Sequence, residues 1–224
     1  MPIEKCAETF MEKFSFWEHL TDRQKKEACE NTSLMSYKKG TNIHSAGDKC
    51  LGVILVKTGQ LRVYMLSEDG RDITLYRIFA GETCILAASC VLDAITFDVF
   101  IDAEENSDVL VINAGTFRRL SDENIYVEAY GYKLATIRFS DVMWAMQQIL
   151  FMGVDKRLAI FLIDESSKRE SDDIPLTHEQ IARYMGSARE VVSRMLKYFS
   201  AEGIVSLYRG GIRIIDKKRL QKIL

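Results

Sequence analysis

The chain has 224 residues, 47% of them hydrophobic, which is enough for one large or two modest cores without disulfide or metal staples. Its net charge of −2 hides an asymmetry: from Pro175 onward ten Lys and Arg face four acids, a balance of +6, while the rest of the chain carries −8. No apolar run reaches the roughly 20 residues needed to span a bilayer, which excludes a helical membrane protein.

The start, MPIEKCAETFMEKF, is amphipathic and charged rather than secretory. The five cysteines, Cys6, Cys29, Cys50, Cys84 and Cys90, are odd in number and lack C-x-x-C spacing. Together these features predict reduced thiols in a cytoplasmic protein with no membrane partner. Thr21 or Asp22 is placed to cap a helix through RQKKEACENT. Between Lys38 and Ile112, β-branched and aromatic runs alternate with Gly47, Gly59, Gly70 and Gly81, a spacing of about 11 residues that predicts a small antiparallel barrel or jelly roll. Gly59 and Gly70 read as hairpin turns, where a positive φ is tolerated.

From about Asp122 to Met152 the texture changes to helical spacing, with Gly131 as the single breaker. Val127, Tyr130, Leu134, Ile137, Trp144 and Phe151 fall on one stripe once Asp141 and Gln148 are admitted as polar members, and Phe139, Val142, Met146 and Ile149 form a second. A helix apolar on two sides buries both, either as a core helix of a monomer or with one side against a second subunit. VDKRLAIFLIDESS is a further amphipathic helix, followed by the polar loop SSKRESDDIP.

The most specific stretch begins at Leu176. Thr177 caps a short helix, HEQIARYM, which Gly186 ends; after a turn comes AREVVSRMLKYFSAEG, with Val191, Val192, Met195, Leu196 and Phe199 as its inner face. Arg189, Glu190, Ser193 and Arg194 gather on the opposite face near the N-terminus, the end that enters the major groove. Arg can fork onto guanine O6 and N7, Glu can accept from cytosine N4, and Ser can bond either kind of group. Lys197 continues that face, and Arg209 stands in a hairpin wing between IVSLY and GIRII, suited to a phosphate. The predicted DNA-binding set is therefore Thr177, Arg189, Glu190, Ser193, Arg194, Lys197 and Arg209, with no catalytic residue and no metal site. A metal oxygenase on the same barrel would need clustered histidines, and His19, His44 and His178 are scattered.

The string LTHEQIARYMGSAREVVSRMLKYFSAEGIV, with GDKCLGVILVKTGQLRVY in the barrel, resembles the Crp/Fnr family of bacterial regulators over nearly the whole chain. The resemblance implies an α+β architecture: an effector-sensing, cyclic-nucleotide-binding-like jelly roll with N-terminal helices over 1–121, a dimerisation helix over 122–152, and a winged helix-turn-helix over 153–224. It further implies a homodimer that reads a palindrome with TTGA- or TGTGA-like half-sites on double-stranded DNA and contacts RNA polymerase. The family's phosphate cassette is not matched: its second Glu falls at Leu86 and its Arg-Ser pair near Phe97 and Asp98, so the effector is expected not to be cyclic AMP. Clustered N-terminal cysteines for an iron–sulfur cluster are also lacking. Cys84 and Cys90, in CILAASC, are either a dithiol or soft-ligand sensor or simple apolar packing, with His19 and His44 as further candidates for haem. The cofactor stays unknown at this level.

Overall fold

The computed structural model describes residues 3–45, 47–48, 50–68, 70, 72–85 and 99–224. Leu86, Cys90, Phe97 and Asp98 lie outside the described residues. The chain forms two compact units, residues 1–66 with 75–142 and residues 67–74 with 143–224.

The first unit opens with α1 (Ile3–Lys13), a 3-10 turn at Trp17–His19, and α2 (Asp22–Glu30). Thr21 and Gln24 cap α2 reciprocally, each side chain serving the other's backbone amide. The strands follow as β1 (Thr32–Tyr37), β2 (Asn42–His44), β3 (Gly52–Thr58), β4 (Gln60–Leu66), β5 (Asp72–Phe79), β6 (Thr83–Cys84), β7 (Phe100–Ala103) and β8 (Ser107–Asn113). They make two four-stranded sheets, ordered β1-β8-β3-β6 and β2-β7-β4-β5. Residues of both sheets, among them Ile54, Val56, Leu61, Val63, Ile78 and Val109, share one apolar core, so the fold is the expected jelly roll. Gly70 turns the β4–β5 hairpin at φ +81°. Gly59, at φ +82°, does something else: β3 and β4 belong to different sheets, so it makes a corner between sheets rather than a hairpin.

Asn113 ends β8 and caps α3 (Ala114–Glu123), its Oδ1 accepting from the Gly115 and Thr116 amides. The long helix α4 (Ile125–Phe151) follows. Phe10, Phe14, Phe16, Trp17, Phe117 and Tyr130 pack ring against ring, with neighbouring centroids 4.8–6.4 Å apart. These contacts tie α1, α3 and α4 into one cluster.

Two expectations are corrected in this unit. Cys6 and Cys29 are not separate thiols; they form a disulfide between α1 and α2, 23 residues apart in sequence with Cα atoms at 5.8 Å. The stripe of Val127, Tyr130, Leu134, Ile137, Trp144 and Phe151, expected as the dimer seam, also divides. Val127 is fully buried in the chain's own core, with Tyr130 and Leu134 packed against that core, because α4 lies over α1 and α3 there. Only Ile137, Trp144 and Phe151 of the stripe remain exposed, with Phe151 at 81%.

The second unit holds the end of α4, then α5 (Val154–Arg169), β9 (Asp173–Ile174), α6 (His178–Met185), α7 (Arg189–Ala201), β10 (Val205–Tyr208), β11 (Gly211–Ile214) and α8 (Lys217–Gln221). Its core is built from Leu158, Leu162, Ile181, Val192, Leu196 and Phe199, and its sheet runs β10-β11-β9. The wing therefore has a third strand, β9, too short to announce itself in sequence. No helix among the described residues is long and apolar enough to cross a membrane.

Candidate nucleic-acid interface

Both helices of the reading motif are fixed by local chemistry. Thr177 Oγ1 accepts from the Gln180 amide at 3.2 Å, and Gln180 Oε1 accepts in return from the Thr177 amide at 2.9 Å. Gly186 closes α6 in the left-handed conformation, φ +57°, its amide bonding back to the last turn. Arg157, buried on α5, donates to the Met185 carbonyl and so holds the same end from below. Burial lowers the Arg157 pKa from its ordinary value.

Three residues separate Met185 from the start of α7. Val192, Leu196 and Phe199 turn inward, fully buried, with Val191 and Met195 half-buried at the margin of that face. On the other side Arg189, Glu190, Arg194 and Lys197 are exposed and Ser193 is half-exposed. All five lie within nine residues of the α7 N-terminus, so a single groove could take them together. Thr177 and Arg209 are exposed as well, Arg209 at the β10–β11 turn beside Gly210 at φ +87°.

The ion pairs separate the structural cations from the ones left for a ligand. Arg213 grips Asp173 with two bonds of 2.8 Å and so joins β11 to β9. Arg219 bonds Glu202 at 3.0 Å, and Arg183 pairs with Asp72 at 3.5 Å. Lys217 lies 3.9 Å from Asp172. Arg194, Lys197 and Arg209 form no ion pair among the described residues, and Arg189 has only a loose one, 3.7 Å from Glu179. Of the cations without an ion pair among the described residues, Arg194 and Lys197 lie on the outer face of α7 and Arg209 in the wing, while Lys218 and Lys222 are exposed at α8 and just beyond it.

His178 was not singled out for this interface in sequence, yet it registers the same field. Burial, then the nearby charges of Arg189 and Lys197, hold its pKa below the usual 6.5. A histidine at the N-terminus of α6 would ordinarily read as part of a cap; its electrostatic neighbours lie on α7 and are visible only in three dimensions.

The sensor candidates fall in the first unit. Cys84, on β6, is a fully buried thiol in the jelly-roll core. The other candidate, Cys90, lies outside the described residues. His44 is buried on β2, and His19 stacks on Tyr126 with ring centroids 3.7 Å apart.

Comparison with known proteins agrees with this division. Residues 34–124 match the cyclic nucleotide-binding domain family and residues 156–223 the Crp-like helix-turn-helix domain family. A curated relative, the transcriptional activator protein FnrA of Stutzerimonas stutzeri, is 25% identical over 190 residues, covering 80% of this chain and 75% of its own. The solved structure of FixK2 from Bradyrhizobium japonicum superposes with a TM-score of 0.70 at 19% identity, covering 86% of this chain and 96% of that one, which is a likeness of fold. A crystal structure from Eubacterium rectale, assigned to the Crp/Fnr family of transcriptional regulators, is 44% identical, covers 95% of this chain and 98% of its own, and superposes with a TM-score of 0.89. With both domains matched in order and that identity held over nearly its whole length, the chain belongs to the Crp/Fnr family of transcriptional regulators.

Proposed function

We propose that the protein works in the cytoplasm as a homodimer, reading an inverted repeat with TTGA- or TGTGA-like half-sites and touching RNA polymerase from the bound site. In this reading residues 1–121 sense an effector other than cyclic AMP, 122–152 carry the dimer seam, and 153–224 read DNA. Arg189, Glu190, Ser193 and Arg194 contact bases, while Thr177, Lys197 and Arg209 hold phosphates.

The observation that carries the reading is the sorting of charge in the second unit: Arg213 and Arg219 are occupied by acids, whereas Arg194, Lys197 and Arg209 stand exposed without an ion pair among the described residues. Exposed Ile137, Trp144 and Phe151 support a seam along the distal part of α4. The test is selection of bound duplexes from a random pool with full-length protein at fixed salt, run both reduced and oxidised. A two-fold-symmetric motif containing GA is expected. Enrichment of an asymmetric motif, or of none in either redox state, would overturn the reading.

A further inference from the structure

The second unit contains a buried cation that no acid neutralises. Arg157, in the first turn of α5, is only 7% exposed. Among the described residues it forms no ion pair, and its side chain makes one hydrogen bond, from a terminal nitrogen to the Met185 carbonyl. Arg169, at the other end of the same helix, instead meets the Glu165 carboxylate at 3.3 Å. The carbonyls at a helix C-terminus carry about half an elementary charge between them, so the end of α6 neutralises Arg157 only in part. Burial lowers its pKa and no acid pulls it back. A guanidinium offers more N–H donors than this single bond uses, and a buried charge is costly unless it is paired.

Beside Arg157 lies a cavity of about 100 Å³. Its wall is drawn from four elements of this unit: Thr74 of β5, Gln148 and Ile149 of α4, Arg157 and Phe161 of α5, and Tyr184 of α6. Among the described residues Arg157 is the only cation in that wall and Asp164 the only acid. Asp164 is exposed, so water and salt screen it, whereas Arg157 is buried. That balance favours an ion with one negative charge and opposes one with two.

Size and lining narrow the choice further. Cavities that hold drug-sized ligands begin at about 300 Å³, so this one is too small for a nucleotide and suits a compact ion. Ile149, Ile160 and Phe161 give it apolar surface, which accepts a short hydrocarbon body and penalises the strongly hydrated oxygens of a phosphate. We infer that the second unit holds a small monocarboxylate, its carboxylate accepting from Arg157 and its alkyl part lying against Ile160 and Phe161. The bound ion pairs a charge the fold leaves open. Through Tyr184 and Met185 it also braces the end of α6, just before the turn into the reading helix. This site is separate from the effector region proposed for residues 1–121 and does not depend on it.

The test titrates full-length protein with propionate labelled with carbon-13 at its carboxylate, and in parallel with propionamide and inorganic phosphate. Saturable propionate binding is expected, with propionamide and phosphate each weaker by about tenfold or more. Arg157→Gln should weaken propionate by a similar factor. Ala145→Leu, which crowds the cavity wall from a half-buried position on α4 and leaves Arg157 in place, should do the same and decides the matter where Arg157→Gln does not fold. Propionate should also raise the melting temperature of the wild type and not that of Ala145→Leu. Propionamide or phosphate binding as tightly as propionate would overturn the inference. So would the absence of saturable propionate binding, or a wild-type titration from either folded variant.

Discussion

Arg189 Nε lies 3.7 Å from Glu179 Oε2, so the first residue of the reading helix is tethered by an acid of the helix before it. Both side chains are more than half exposed, and such a pair contributes little to folding. It does compete with DNA for the same guanidinium. Glu179→Gln should leave thermal stability nearly unchanged and tighten nonspecific duplex binding about two- to fivefold at low salt, an effect that shrinks as salt screens it. Fluorescence anisotropy at two salt concentrations measures both.

Arg194 and Lys197 are equally exposed but stand in different proposed roles. Arg194→Ala removes a base contact and should cost about 1 to 3 kcal/mol of specific binding, with a much smaller change on random duplex. Lys197→Ala removes a phosphate contact, so specific and random binding should weaken together and the salt slope should fall by about 1. If the two variants gave the same ratio of specific to random affinity, the division of roles would be wrong.

His178 makes the reading motif sensitive to acid. Its folded pKa is held below 6.5 by burial and by Arg189 and Lys197, so the unfolded chain binds this proton more tightly than the folded one. Stability should therefore fall as pH drops below about 6.5 and level off once pH passes the folded value. DNA phosphates would screen the two cations and raise that pKa, so binding takes up a proton and affinity should rise over the same interval. Melting curves and binding isotherms between pH 5 and 7 should both flatten in His178→Gln. Unchanged slopes in that variant would assign the effect to another group.

Gly131 sits in the buried interior of α4, where a β-carbon would meet Ile85 at 3.5 Å and Phe117 at 3.6 Å, ordinary contact distances. Gly131→Ala should stabilise the first unit by about 0.5 to 1 kcal/mol, since glycine carries a backbone entropy cost in a helix. Denaturant unfolding checks the sign. Destabilisation would mean that the Ile85 and Phe117 side chains cannot accommodate the methyl group.

The Cys6–Cys29 link joins α1 to α2 across a sequence separation of 23. Replacing both with Ser should lower stability relative to the oxidised protein by roughly 3 kcal/mol in the chain-entropy picture. Peptide mapping without reductant should recover the linked pair. Recovery of both cysteines as thiols from the oxidised protein would refute the link.

The helix-turn-helix was legible because its signals are local: Thr177 caps through Gln180 three residues on, and Gly186 ends the helix it follows. Strand content was legible for the same reason, through alternation and glycine punctuation. What failed to show was tertiary. Periodicity says that Val127, Tyr130 and Leu134 must be covered, but not that Phe14, Phe16 and Phe117 of the same chain do the covering. Cys6 and Cys29 carry no spacing signature because two helices, not a short motif, bring them together. Arg138 carries no distinguishing signal in the sequence; only the fold turns it toward Tyr76.

One feature of the reading helix separates it from its neighbour. The residue before α6 is Thr177, a side-chain cap; the residue before α7 is Ala188, which offers none. The opening turn of α7 is thus the less finished of the two, with backbone amides that no side chain at its cap can serve. In the proposed complex a phosphate oxygen would supply what Ala188 lacks, and the amides of Arg189 and Glu190 would exchange with deuterium more slowly on DNA than off it. The duplex would then be the final turn of the protein's own secondary structure.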